Sequence, residues 1–265
     1  MRRLLLAPLL LALAGCDGYH YHAGRLDESR TAIPAALAHY EAFLRARPED
    51  ARAAELHVRA GRLYAQMERC DDARRHFEAA ARDFSKVEPW ATRGRVGVMS
   101  CPDYFPLEAG RAWVYGDSAS GGRAMRLQWT VTASSSTGIA VRQTLFAGPR
   151  QLKSVEVAYD VSGWTVWQRD GAGRFPFLEY PFAAGRSWKA RRDGRWLTYR
   201  VESVDARALT AAGSFERCLK VRESDPTYRT AWKYDYYCPG VGRALTTVAG
   251  ADFENPNTEL LSFTR

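Results

Sequence analysis

The sequence predicts an α+β protein, with a short helical region followed by an antiparallel sheet. Residues 29–86 carry helical periodicity, in which apolar residues recur every three or four positions. From Cys101 onward the apolar period falls to two, and turn signals such as Pro239-Gly240 separate about eleven short runs. Because no run alternates with a helical segment, we expect an antiparallel sandwich or a curled, barrel-like sheet, and not a parallel α/β fold.

The first residues have the parts of a secretory signal. A charged start precedes an uninterrupted apolar stretch, residues 4–14, and the small residues after it end at Cys16. The stretch is too short for an ordinary membrane span, so we expect residues 1–15 to be removed. The letters LAGC resemble the lipobox of bacterial lipoproteins, which implies that Cys16 is acylated, with palmitate among its fatty acids. The alternative is a signal cleaved elsewhere, with Cys16 incidental.

A lipidated Cys16 predicts a periplasm-facing protein that is anchored to a membrane and does not span it. Residues 16–28 would then be a tether. Asp17 after the cysteine resembles the signal that retains some enteric lipoproteins in the inner membrane, but Gly18 is not its usual follower. We therefore favour the outer membrane slightly over the inner one.

The charge of the chain gives little information about partners. Of 265 residues, 46% are apolar and the formal net charge is +8, which falls to +6 when Arg2 and Arg3 leave with the signal. The surplus is spread along the strands without a basic run, so we expect no nucleic-acid partner.

Four cysteines remain after Cys16, an even number in an oxidising compartment, which favours disulfides over metal ligation. Three connectivities are open. Two helices that return antiparallel near residue 85 would bring Cys101 beside Cys70. A hairpin that turns near Tyr228 would place Cys218 opposite Cys238. We therefore expect the pairs 70–101 and 218–238.

The helical region contains an internal repeat with a period of 37 residues. Four positions of the first copy recur in the second, namely Ala36, Tyr40, Phe43 and Pro48 as Ala73, Phe77, Ala80 and Ser85. Small residues at the close contact and an aromatic four residues later are typical of packed antiparallel helices. The pattern resembles the tetratricopeptide repeat and, in its longer period, tetratricopeptide proteins of the bacterial envelope.

That resemblance implies a helical, protein-binding domain over residues 29–100. It also has departures: Ser85 replaces the usual closing proline, and Asp27 stands where Tyr64 predicts an aromatic. We therefore expect the first repeat to lack most of its leading helix.

The region 101–265 contains one sequence motif, or phrase, twice. FPLEAGRAW and YPFAAGRSW place Pro106, Gly110, Arg111 and Trp113 at a constant offset of 75 from Pro181, Gly185, Arg186 and Trp188. Proline before a strand, glycine in a tight turn and a tryptophan to bury indicate the start of a strand, so we expect two related halves. The alternative is a pair of ligand sites. With YYCPGVG the phrase resembles a β-rich domain of bacterial envelope proteins that carries no known activity.

Three strands with clear alternation place apolar residues on one face each. These sets are Leu127, Trp129 and Val131; Leu197, Tyr199 and Val201; and Trp232, Tyr234 and Tyr236.

The sequence offers little for catalysis. All five histidines precede the sheet region, which excludes a histidine-based catalytic or metal site within it, and no nucleotide fingerprint is present. The alternation in YHYH, residues 19–22, could hold a metal, although a solvated tether is the better interpretation. Asp252 with Glu254 would be a candidate carboxylate pair. We expect no cofactor, no metal and no enzyme.

Three function classes remain. The leading one is a non-enzymatic envelope protein that binds a protein partner through its helical repeat, with Arg59, Arg62 and Tyr64 at the interface. The second is a carrier or sensor that holds a lipid, a glycan or another small apolar ligand in the sheet. The third is an envelope hydrolase that uses two carboxylates.

Overall fold

The computed structural model describes residues 7–135, 138–171 and 173–264 of the chain. Over these ranges the protein has five helices followed by twelve strands. The chain divides into two compact units, Met1–Cys101 and Pro102–Arg265, which we call the helical unit and the β unit.

The helices of the first unit are α1 (Ala7–Ser29), α2 (Ile33–Ala46), α3 (Ala51–Gln66), α4 (Cys70–Arg82) and α5 (Trp90–Gly97). α1 packs against α2, α3 packs against α4, and α5 contacts both α3 and α4. Among the described residues, no helix has both the length and the apolar character that crossing a membrane requires. The signal sequence expected at 1–15 begins outside the described residues, and the side chain of Cys16 lies outside them as well.

The two helical hairpins, α1 with α2 and α3 with α4, repeat one close contact at the period of the sequence repeat. A Cβ atom at Gly24 would lie 2.5 Å from the Tyr40 ring, and a Cβ atom at Gly61 would lie 2.7 Å from the Phe77 ring. Each glycine therefore allows an aromatic ring of the second helix to lie against the backbone of the first. Both hairpins have a complete leading helix.

The first hairpin corrects the expected tether at 16–28, because residues 18–28 belong to α1. The expectation that the first repeat lacks most of its leading helix is wrong for the same reason. Tyr21 is buried, and its hydroxyl donates to Glu55 of α3 at 2.9 Å. Glycines and histidines interrupt the apolar pattern of this segment, so periodicity alone did not predict the helix.

Both disulfides join the cysteines that the antiparallel returns predict. Cys70 and Cys101 are bonded with their Cα atoms 5.0 Å apart, and Cys218 and Cys238 with theirs 4.2 Å apart. The second bond lies between neighbouring strands and connects the two arms of one hairpin.

The strands of the β unit are β1 (Ala112–Asp117), β2 (Met125–Ser135), β3 (Gly138–Ala147), β4 (Arg150–Ser162), β5 (Thr165–Asp170), β6 (Gly173–Glu179), β7 (Ser187–Arg192), β8 (Arg195–Thr210), β9 (Gly213–Ser224), β10 (Trp232–Cys238), β11 (Gly242–Ala249) and β12 (Glu254–Phe263). They form one antiparallel sheet in the order β6-β5-β4-β3-β2-β1-β12-β11-β10-β9-β8-β7. The sheet is nearly closed and barrel-like, so the sandwich alternative is wrong.

The strand order divides the sheet into two equal halves. β1–β6 and β7–β12 are each an up-and-down meander, and the antiparallel pair of β1 with β12 joins them. β6 and β7 form the two edges of the sheet. β1 and β7, which begin at the last two residues of the two copies of the duplicated phrase, are thus the first strands of equivalent halves.

The two copies of the duplicated phrase share the turn at their glycines, although the peptide bond before the proline is cis in the second copy, at Tyr180-Pro181, and trans in the first. Gly110 and Gly185 have φ angles of 85° and 87°, a conformation that favours glycine. The amide of Gly110 donates to the carbonyl of Val131 at 3.1 Å, and the amide of Gly185 donates to the carbonyl of Val201 at 2.8 Å. Each copy therefore makes the same turn into a strand and holds it against the next one.

The first copy also packs against the YYCPGVG segment. The Trp113 indole N–H donates to the carbonyl of Val241, and Arg111 Nη1 donates to the carbonyl of Gly240 at 2.9 Å. The two phrases that carried the resemblance to a β-rich domain are thus the two sides of one structural contact. This favours the strand-start interpretation over a pair of ligand sites.

The strands alternate between an inner and an outer face, and the inner face is not uniformly apolar. Trp129 and Tyr199 lie on the inner face, where they line a common cavity with residues of other strands. On β10 the aromatic set Trp232, Tyr234 and Tyr236 shares one face, as its period predicts, but this is the outer face. Lys233 and Asp235 line the cavity instead.

Candidate functional site

The β unit encloses a small polar cavity of about 60 Å³. Five of the side chains that line it are charged, namely Arg192, Glu223, Lys233, Asp235 and Arg243. They reach the cavity because they occupy inward positions on β7, β9, β10 and β11. Charged groups inside a sheet cost free energy unless they are paired or bound to something, which makes this cavity a candidate functional site.

Most of these charges have a partner. Lys233 Nζ lies 2.8 Å from a Glu223 carboxylate oxygen, and Arg243 Nη1 lies 3.9 Å from Asp235. Asp235 also accepts a hydrogen bond from the hydroxyl of Thr246. Burial acts to lower the pKa of Arg243, but Asp235 and the nearby tyrosines outweigh it and raise that pKa above its ordinary value. Arg243 is therefore a permanent cation.

Two side chains that line the cavity each carry a donor without an acceptor. The indole Nε1 of Trp129 and the Nε of Arg243 are buried, and neither has a hydrogen-bond partner within the described ranges. The Arg243 guanidinium lies over the Trp129 ring, 4.7 Å from its centroid. A buried donor without an acceptor costs about 1–3 kcal/mol, so a bound group that accepts both hydrogen bonds would be favoured.

An open pocket of about 460 Å³ lies beside the cavity and shares three of its lining residues, Arg192, Glu223 and Lys233. The β7–β8 turn and the loop 225–231, which connects β9 to β10, form its walls. We call this pocket and its walls the mouth. A ligand in the mouth would thus contact side chains that also line the inner cavity.

The loop of the mouth is held by Asp225. Its carboxylate accepts a hydrogen bond from the amide of Thr227 at 2.8 Å and pairs with Arg195 at 2.8 Å. The hydrogen bonds from Thr227, followed by the charge of Arg195, lower the pKa of Asp225 below its ordinary value. The loop is therefore attached to the β7–β8 turn by an ion pair.

A second open pocket, of about 650 Å³, lies on the other side of the same loop. Trp196 and Tyr228 line it and are 59% and 61% exposed, which is unusual for such large aromatic side chains. Arg222 stacks on the Trp232 ring at 3.8 Å from its centroid. Aromatic faces and cations therefore border both pockets, and we call this border the rim.

The expected partner-binding residues Arg59, Arg62 and Tyr64 all lie on α3, but two of them have internal roles. Arg59 bridges two glutamates, at 2.8 Å from Glu28 and 2.7 Å from Glu55. Tyr64 is buried and donates to Glu41, while Arg62 is exposed. Of the three residues, Arg62 presents its side chain to solvent.

Four of the five histidines of the helical unit form two equivalent pairs. His20 and His39 have their Nδ1 atoms 2.8 Å apart, and His57 and His76 have theirs 3.0 Å apart. The pairs are related by the 37-residue repeat and join the two helices of each hairpin. Among the described residues, no group of three or more metal-ligating side chains comes together, and this includes the YHYH segment.

Of the carboxylate pair proposed for hydrolysis, Glu254 is engaged on the outer face of the sheet. Glu254 lies 2.7 Å from Lys220 Nζ and 2.9 Å from the Thr247 hydroxyl, and it accepts from Tyr236 as well. Burial acts to raise the pKa of Glu254, but these bonds outweigh it and lower that pKa. Glu254 is therefore held as a charged, hydrogen-bonded group, whereas Asp252 is exposed.

Sequence reasoning missed the charged residues of the inner face. The run AWKYDYY contains the signal, because Lys233 and Asp235 alternate with the aromatic residues. A period of two separates the faces of a strand but does not say which face is inside. The aromatic face was the natural choice for the core, and here it lies outside.

Comparison with known proteins gives a distant structural likeness. No protein-family model and no curated protein matches the chain. A solved structure of a candidate lipoprotein from Parabacteroides distasonis is similar to it with a TM-score of 0.40 and 13% sequence identity. The match covers 61% of this chain and 98% of the other.

Proposed function

We propose that the protein is a non-enzymatic, lipid-anchored protein of the bacterial envelope that binds an acidic saccharide at the mouth of its β unit. The observation that carries the proposal is the rim, where exposed aromatic and cationic side chains surround two open pockets. The lipobox at Cys16 supports the location, and the lack of histidine in the β unit supports a binding role.

The charge of the rim supports an anionic ligand. The two pockets are lined by six cationic and three acidic side chains. Two of the acids, Glu223 and Asp225, are already paired with cations. Lys189 and Arg229 form no ion pair or hydrogen bond within the part of the chain that the structure describes, so their charges are available to a ligand.

The shape of the site supports a saccharide rather than a lipid. A cavity of about 60 Å³ is far smaller than a typical ligand pocket of about 300–1,000 Å³, so this cavity is too small for an acyl chain. The open pockets combine aromatic faces with polar groups, and such surfaces suit a ring that has an apolar face and a polar edge. A glycan ligand in the sheet was one of the alternatives from the sequence.

The proposal predicts that Tyr228→Ala or Trp196→Ala weakens binding of an acidic oligosaccharide of glucuronate units about tenfold, because each removes an exposed aromatic face. Binding is measured by calorimetry on the full chain in detergent micelles. Tyr19→Ala is the matched control, since Tyr19 is 62% exposed but lies in the helical unit. Equal affinity for a neutral glucose oligosaccharide, or unchanged affinity in both rim variants, would contradict the proposal.

A second candidate function is protein binding by the helical unit, as the tetratricopeptide resemblance implies. The complete pair of hairpins favours it, together with exposed apolar side chains such as Leu26 and Met67. Arg62→Glu should reduce the yield of a crosslinked envelope partner while the unit stays folded. Arg59→Glu is unsuitable as a test because it breaks two internal ion pairs. An unchanged set of crosslinked partners in Arg62→Glu would argue against this function.

A further inference from the structure

We propose that the inner cavity of the β unit binds a carboxylate group of the ligand, so that the ligand of the mouth is a uronic acid or a similar sugar acid. This inference rests on the proposed function and makes it more specific. It depends on the two donors without acceptors, on the charge around them and on the size of the cavity.

Three of the acceptors around the cavity are already used. The side-chain oxygen of Gln168 accepts from Tyr159 at 3.2 Å, and its amide nitrogen donates to Asp170 at 3.0 Å. Glu223 pairs with Lys233, and Asp235 is bonded by Thr246 and lies near Arg243. Gln143 also lines the cavity, but neither the Trp129 nor the Arg243 donor is bonded to it. An acceptor from outside the chain would therefore satisfy donors that the chain itself leaves unpaired.

The charge and volume of the cavity favour a carboxylate. Three cations and two acids line it, so one added negative charge would balance the group. Its volume of about 60 Å³ is room for a few water molecules and therefore for a carboxylate. A carboxylate has two oxygens, one for each of the two donors, and hydrogen bonds to a charged acceptor are the stronger kind.

The position of the cavity explains how one ligand reaches both places. Arg192, Glu223 and Lys233 belong to the lining of the cavity and of the mouth. A sugar ring in the mouth would extend its acid group past these side chains to the donors of Arg243 and Trp129, which line the cavity but not the mouth. The ring would then lie near Tyr228 and Trp232, which line the mouth.

The test compares D-glucuronate with D-glucuronamide, which has the same shape but no charge, on the full chain in detergent micelles. We expect glucuronate to bind at least tenfold more tightly, and we expect Trp129→Phe to remove about tenfold of its affinity. Trp188→Phe is the matched control, because it also removes a buried indole N–H without a partner, but Trp188 does not line the cavity. Trp188→Phe should bind glucuronate as the parent does.

Each other outcome overturns the inference in a distinguishable way. Equal binding of glucuronate and glucuronamide means that the cavity holds water only. Glucose 6-phosphate binding as tightly as glucuronate means that the site accepts anions generally and is not specific for carboxylates. If Trp129→Phe has no effect while Tyr228→Ala weakens binding, the inference fails and the proposed function stands. If neither variant has an effect, both fail.

Discussion

Trp113 and Trp188 occupy equivalent positions in the two halves of the β unit, yet their indole nitrogens differ. Trp113 donates to the carbonyl of Val241. Trp188 has no acceptor among the described residues, and its ring stacks on Tyr199 with the planes 10° apart. The duplication therefore preserves the turn and the buried ring, whereas the hydrogen bond belongs to the first half.

This difference predicts unequal effects of two identical changes. Replacing either tryptophan by alanine should cost about 3–5 kcal/mol of unfolding free energy, because each is a large buried side chain. Trp113→Phe should cost about 1–3 kcal/mol more than Trp188→Phe, since it leaves the Val241 carbonyl without its donor. Urea unfolding of the full chain measures both. Equal costs for the two phenylalanine variants would show that the hydrogen bond does not contribute to stability.

The histidine pairs connect elements, since each joins the two helices of a hairpin. Burial, followed by the charge of His76, lowers the pKa of His57 to about 4. Burial also lowers the pKa of His76, although Glu41, which lies 3.0 Å from its Nε2, opposes the shift. At a pH between the folded and the unfolded pKa of His57 or His76, the folded hairpin therefore binds fewer protons than the unfolded chain.

The helical unit should lose stability as the pH falls below about 6.5, the unfolded pKa of histidine, toward about 4. Because the pKa of His57 is lower in the folded protein than in the unfolded chain, the full stability is present at a pH above the unfolded pKa. As the pH falls below that pKa, protons bind to the unfolded chain first, and this lowers the free energy of unfolding. The slope approaches about 1.4 kcal/mol per pH unit for each proton. His57→Gln should flatten the slope, measured by urea unfolding at several pH values.

His22→Gln is the matched control for that experiment. His22 is exposed in the same unit and should leave the slope unchanged. A slope that is the same in His57→Gln and in the parent would mean that the pair does not control the acid response.

Sequence reasoning succeeds at the scale of elements where a pattern has one physical meaning. The return of two helices predicts the pair 70–101, and the FPLEAGRAW repeat predicts where β1 and β7 begin. It fails where two structures share a pattern. Alternation on β10 is the same whether the aromatic residues face in or out. Sequence reasoning also fails where a helix has no apolar pattern of its own: the second half of α1 is polar, and it gains its stability from the packing of Tyr21 and Gly24 on neighbouring helices.

At the scale of the whole molecule, we expect Cys16 to carry the lipid that holds the protein at the membrane. Cys16→Ala should leave an unprocessed precursor or a soluble species, because the modified residue is lost. Membrane fractionation with a labelled fatty acid checks this expectation. Cys218→Ala is a control that also replaces a cysteine, one that forms a disulfide with Cys238, and it should keep the label. An unchanged, labelled membrane fraction in Cys16→Ala would contradict the lipobox interpretation.

The pairing of β1 with β12 affects the order in which the parts of the β unit fold. Tyr115 pairs with Leu260, 145 residues further along the chain, whereas the other strand pairs join consecutive strands. During synthesis or export from the N-terminal end, the first meander can fold by local hairpins, but β1 keeps an open edge until the last strand emerges. Closing so long a loop is slow, so we expect joining of the halves to be the late step of folding. Until then β1 can pair with another copy of the chain, and the final strand prevents aggregation as well as completing the sheet.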